Sequence, residues 1–108
     1  MAVVFTQGQQ LGPNDLSIRL YDGSGNPFNP HRLYYEFYGY DHLRGEWRVG
    51  QSERTPTQTE AGVYFVSEKL TTAMIAGNYV VVWVMQRDPL APLEVVKRQE
   101  FAFIGVGI

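Results

Sequence analysis

The chain contains no cysteine. That absence excludes a disulfide framework, the usual staple of small secreted domains, and removes thiolates from any metal site. Histidine is almost as scarce. His31 and His42 each fall in or beside a turn, neither has a partner at metal-ligand spacing, and no metal or other cofactor is expected. Neither charge sign is in real excess: nine Lys and Arg stand against eleven Asp and Glu, a formal net charge of -2. Without a basic field to neutralise a row of phosphates, a nucleic-acid partner is not expected. The longest apolar run, Tyr79 to Met85, is far shorter than the roughly 20 residues of a membrane span, so a membrane partner is not expected either. The opening Met1-Ala2-Val3-Val4-Phe5 lacks a basic stretch and has too short an apolar run for an export signal. Helical periodicity is nearly missing throughout.

What is present is apolar and aromatic. The 108 residues are 44% hydrophobic and 14% aromatic, enough for one domain over 1–108 with a packed core and incompatible with a disordered tail. Short alternating stretches are broken by Gly, Pro, Asn and Asp, the grammar of an antiparallel β-sandwich. Strands are expected over Ala2–Gln7, Leu16–Tyr21, Arg32–Tyr40, Glu46–Gly50, Gly62–Lys69, Tyr79–Met85 and Leu93–Ile104, about seven in all. Turns are expected at Gly12–Asp15, Asp22–Pro27, Asp41–Gly45 and Asp88–Pro92, a polar loop at Gln51–Ala61, and one helical turn at Thr71–Ala76. The count suits an immunoglobulin-like sandwich. Tyr79, followed two residues later by Val81, sits where such folds place a corner tyrosine and a core residue; a plain strand-start aromatic reads the same way.

Signals for chemistry are thin. Asp22-Gly23-Ser24-Gly25-Asn26 alternates oxygen side chains as calcium loops do, but no acidic residue follows at the bidentate position, so a turn is expected. Its Gly-x-Gly lacks a third glycine and a following helix, which argues against a nucleotide cradle. None of Ser17, Ser24, Ser52 or Ser67 lies in a strained nucleophile elbow. Asp41, Glu46, Glu53 and Glu60 could pair as hydrolytic carboxylates, but acids on a small sandwich more often solvate loops. No enzyme and no small-molecule substrate are expected. Arg44, Trp47 and Arg48 near Tyr38 and Tyr40 read first as ordinary surface residues of an edge hairpin, but they could stack a sugar or a base, which keeps a carbohydrate-binding module as an alternative.

One surplus asks for explanation. If Tyr79, Val81, Trp83 and Met85 face the core, then Val80, Val82 and Val84 face outward, beside Tyr34 and Tyr38 of the strand that also carries Glu36. The last strand, with Phe101, Ala102, Phe103 and Ile104, is apolar on both faces. Tyr34, Tyr38, Val80, Val82, Val84, Phe101, Phe103 and Ile104 are therefore the expected protein interface. Either a partner covers this patch, or the Gln51–Ala61 loop crosses it within the chain. The glycine-spaced tail Ile104-Gly105-Val106-Gly107-Ile108 could add to a neighbour's sheet edge or simply fray.

Several of these segments, in this order and spacing, resemble the small immunoglobulin-like structural proteins of tailed bacteriophage particles. They are Phe5-Thr6-Gln7-Gly8-Gln9, Asp22-Gly23-Ser24-Gly25-Asn26-Pro27, Leu33-Tyr34-Tyr35-Glu36-Phe37-Tyr38, Val49-Gly50, Arg54-Thr55-Pro56, Gly62-Val63-Tyr64-Phe65-Val66 and Gly77-Asn78-Tyr79-Val80-Val81-Val82-Trp83. The resemblance covers almost the whole chain. It implies a virion subunit assembled in the host cytoplasm, packed against other virion proteins and copies of itself. The neck or collar is the first expectation, and capsid decoration or a tail or baseplate position the alternatives. It brings no catalytic residues.

Overall fold

The structure, a computed structural model, describes residues 3–6, 8–41, 45–70 and 77–104, with residue 41 and residues 46–52 described by backbone alone. The expected helical turn at 71–76, the tip of the 41–45 connection and the tail after Ile104 lie outside the described residues. Among the described residues the chain is all-β, with eight strands: β1 (Val3–Thr6), β2 (Ser17–Arg19), β3 (Arg32–Asp41), β4 (Glu46–Arg54), β5 (Thr57–Glu60), β6 (Val63–Phe65), β7 (Gly77–Gln86) and β8 (Leu93–Ile104). They form a five-stranded sheet in the order β1-β8-β7-β3-β4 and a three-stranded sheet in the order β2-β6-β5. Only β1 on β8 is a parallel pair; the other pairs are antiparallel.

The two sheets share one core, as in a β-sandwich. Period-two alternation puts Tyr35 and Phe37 of β3, Val81, Trp83 and Met85 of β7, and Phe101 and Phe103 of β8 on the inner side of the large sheet, against Ile18 and Tyr64 of the small one. Trp83 lies at the centre, fully buried, with its ring 5.5 Å from that of Tyr35 and its indole N–H donating to Gln99 Oε1 at 2.8 Å. That bond satisfies the polar edge of an otherwise apolar group. Tyr79 stacks on Phe101 at 5.4 Å, and its ring covers Gly39 so closely that a Cβ there would meet Tyr79 Cε1 at 3.1 Å.

The expected polar loop at 51–61 is instead the end of β4 and the whole of β5. All four β5 side chains are exposed, and backbone pairing to β6 alone makes it a strand. A Thr-Gln-Thr-Glu segment with both faces in water has no alternation for a sequence to show. Because β5 belongs to the small sheet, this segment does not cross the outer face of the large one. Core residues also come from outside the strands. Leu11 and Leu70 are 1% and 0% exposed. The Leu11 N–H donates to Glu68 O at 2.8 Å and the Leu70 N–H to Gln9 O at 2.9 Å. In the Asp22 turn, Oδ1 accepts from the N–H groups of Ser24 and Asn26 at 2.8 and 3.0 Å, so that carboxylate organises the backbone.

One irregularity positions the site. Trp83 opposes Lys97, but the next β7 residue, Val84, opposes Val95. Val96 is therefore an extra, bulged residue, packed against the core. Beyond the bulge the alternation of β8 is reset, and Val95 and Leu93 share the outer face with Arg98 and Glu100.

Candidate functional site

The outer face of the large sheet carries a second, smaller apolar cluster built on Val80, Val82 and Val84, with Tyr34 and Tyr38 packed against it. Strand register arranges it in three rows. Tyr38, Val80 and Glu100 form one, Glu36, Val82 and Arg98 the next, and Tyr34, Val84 and Val95 the third. The valines are the floor of a trough of about 360 Å³. Glu36 and Tyr38 rise on its β3 side, and Val95, Arg98 and Glu100 on its β8 side.

Polar contacts hold the β3 wall. The Tyr38 hydroxyl donates to Glu36 Oε1 at 3.1 Å. The Arg32 guanidinium lies 4.8 Å from the centre of the Tyr34 ring and is tied to Glu53 at 3.2 Å. Glu53 sits in the irregular stretch of β4 with a φ of 51°. Burial against the cluster raises both phenols above their ordinary pKa, and the negative charge of Glu36 adds to the rise in each. Both therefore stay neutral donors at physiological pH.

The expected interface divides in three. Tyr34, Tyr38, Val80, Val82 and Val84 do come together on one outer face. The valines are not a bare patch, however: they are only 5–7% exposed, roofed by the two tyrosines of their own sheet. Phe101 and Phe103 are not surface residues. At 1% and 2% exposure they belong to the main core, because the parity of β8 beyond its bulge turns both inward. Ile104 is half exposed, beside β1 with its own half-exposed Val4.

The openly exposed apolar side chains on this face went unread in the sequence. Val95 and Leu93 are 50% and 49% exposed, and Leu90 at the tip of the β7–β8 hairpin is 96% exposed. Val95 and Leu93 continue the trough along β8 toward the hairpin. Their signal was weak, since Leu93 and Val95 have the same parity as Phe101 and only the bulge separates them.

Two other polar features are structural. The Tyr35 hydroxyl donates to Glu68 Oε2, whose other oxygen takes Arg54 at 2.9 Å, tying the exit of β6 to β3 and β4. Burial, followed by the Glu68 carboxylate, raises the Tyr35 phenol well above its usual value. At the open seam between β2 and β8, Lys97 Nζ donates to Ser17 O at 3.0 Å across a cavity of about 350 Å³. An inward-reaching lysine is one of the devices that protect free strand edges. Among the described residues no three potential metal ligands lie together, and no helix is long and apolar enough to cross a membrane. Arg44 and the side chains of Asp41, Glu46, Trp47 and Arg48, invoked for sugar or acid chemistry, lie outside the described residues.

No protein-family model matches the chain, no curated protein does, and no solved structure does.

Proposed function

We propose that the chain is an immunoglobulin-like structural subunit of a tailed bacteriophage particle, acting without catalysis or cofactor by packing its outer sheet face on other virion proteins and copies of itself. The observation that carries the packing role is the apolar strip that runs from the valine trough through the half-exposed Val95 to Leu93 on the outer face. Exposed contiguous apolar surface rimmed by charge is the mark of a contact face. The strand order supports the immunoglobulin-like part. The series β8-β7-β3-β4 runs as G-F-C-C′ of a variable-type domain and β2-β6-β5 as B-E-D, with the first strand on the side of G. The virion part rests on the segments that resemble phage proteins, and the neck or collar remains its first placement.

The test is twofold. Genes for a portal or tail-tube protein beside this one, with the chain detected by mass spectrometry in purified particles, are the expected result. A gene set in another context, with a chain that stays monomeric and binds no hydrophobic dye, overturns the reading.

A further inference from the structure

We propose that the open seam between β2 and β8 is an acceptor for one extended, acidic segment of another polypeptide, which adds to the free edge of β2 through an acid–apolar–acid run of residues. Two strand edges end at this seam. β2 is an end strand of the small sheet, and β1 covers β8 only over Phe101–Ile104, so among the described residues the earlier part of β8 has no strand on that side. The bonds of β2 show which of its groups are open. Leu16 O accepts from the Val66 N–H at 2.9 Å and the Leu20 N–H donates to Gly62 O at 2.7 Å, with Ile18 opposite Tyr64 between them. Alternation then turns the amide groups of Ser17 and Arg19 away from β6 and into the seam. Lys97 Nζ, 3.0 Å from Ser17 O, already holds the position that an N–H of an added strand would take. A row of open backbone donors and acceptors is matched by one class of ligand, another main chain in extended form.

Charge selects among such chains. The cavity of about 350 Å³ at the seam is lined by the apolar Ile18, Leu20 and Val96, and its charged lining residues are Arg19 and Lys97, with no carboxylate among them. Neither cation belongs to an ion pair among the described residues. The seam is therefore locally positive on a chain of net charge -2. A strand laid against β2 puts the residue opposite Ile18 on the inner side, toward Val96, and the residues opposite Ser17 and Arg19 on the outer side. A carboxylate opposite Arg19 pairs with its guanidinium. One opposite Ser17 takes the Lys97 ammonium as the incoming N–H displaces it, exchanging a neutral acceptor for a charged one. The lysine keeps its guard against apolar strands and admits acidic ones. A second copy does not supply the run: among the eleven Asp and Glu of the chain no two stand two positions apart. The partner is a different protein, and the contact is independent of the outer sheet face.

Amide resonances of the isotope-labelled full chain, titrated with the peptide acetyl-Thr-Glu-Val-Glu-Thr-amide, read the contact directly. With three matched residues, a dissociation constant of about 1 mM is expected. The Ser17 and Arg19 amides are expected to shift on binding and to exchange more slowly with solvent. The same peptide with Gln for both Glu is expected to bind about tenfold more weakly, the worth of two cross-strand ion pairs. That preference is expected to shrink in Lys97→Gln and in Arg19→Gln, both at exposed positions where the fold tolerates the change. No saturable shift up to about 10 mM peptide, equal affinity for the two peptides, shifts confined to another strand edge, or an undiminished preference in both variants overturns the acceptor. Because the readout lies on β2 and the probe is a peptide, such a failure leaves the packing role of the outer face standing.

Discussion

Replacing Gly62 by alanine isolates the clamp that joins the β5–β6 connection to the rest of the small sheet. Gly62 has a φ of +75°, and a Cβ built on it would lie 2.6 Å from Leu20 O and 3.1 Å from Phe28 N. Those atoms are committed. The Leu20 N–H donates to Gly62 O at 2.7 Å, and the Phe28 N–H donates to Leu20 O at 3.2 Å. The left-handed conformation alone costs an alanine about 1 kcal/mol. Relieving the contact means moving backbone by more than half an ångström and losing about one buried hydrogen bond, roughly 1–3 kcal/mol more. The expected loss is about 3 kcal/mol, a large share of the 5–15 kcal/mol typical of a domain, and lowers the melting temperature by about 12 °C at this size. Gly25→Ala is the matched control. Its φ is +83° but nothing lies within 4 Å of the new Cβ, so only the conformational cost applies. Thermal unfolding followed by circular dichroism measures both. If the two variants melt within about 3 °C of each other, the close approach at Gly62 carries no energy and the reasoning fails.

Three further outcomes follow from the same structure. Because the folded state holds the Tyr35 proton more tightly than the unfolded chain, stability contributed by that phenol is intact below pH ~10 and falls as pH rises beyond it; denaturant titrations at alkaline pH are expected to show this loss in the parent and a flatter profile in Tyr35→Phe. Phe101→Ala is expected to cost about 3–5 kcal/mol and Ile104→Asp less than about 1 kcal/mol by the same titration, and a reversed order would put Phe101 back on the surface. Lys97→Met removes the charge guarding the β2–β8 seam and is expected to leave the melting temperature within a few degrees while light scattering on storage rises; unchanged scattering would mean that the seam needs no guard.

Most strand faces were legible because burial enforces period two. The split of β3 into Tyr35 and Phe37 against Tyr34, Glu36 and Tyr38, and of β7 into its two sets, follows from alternation alone. What alternation does not carry was missed. β5 owes its conformation to hydrogen bonds from a neighbour rather than to its own side chains. Leu11 and Leu70 reach the core from irregular backbone, where no period marks them. Outward valines read as bare in a linear sequence, since the lean of Tyr34 and Tyr38 over them is a cross-strand contact between residues more than 40 positions apart. The outward side of Leu93 and Val95 stayed hidden because one extra residue in β8 reverses the side on which the first part of that strand shows its apolar groups.

That extra residue makes the chain unequally tolerant of losing a codon. Excising Val96 would straighten β8 and surrender one half-sheltered methyl cluster, while every flanking side chain kept its orientation. Excising a residue farther along, such as Phe101, would make the strand consume the bulge and turn the run between the two inside out, bringing Arg98 and Glu100 to the core side opposite Val81 and Tyr79. A scan of single-residue deletions along β8 should therefore show tolerance around the bulge that falls off toward Phe101 and Phe103.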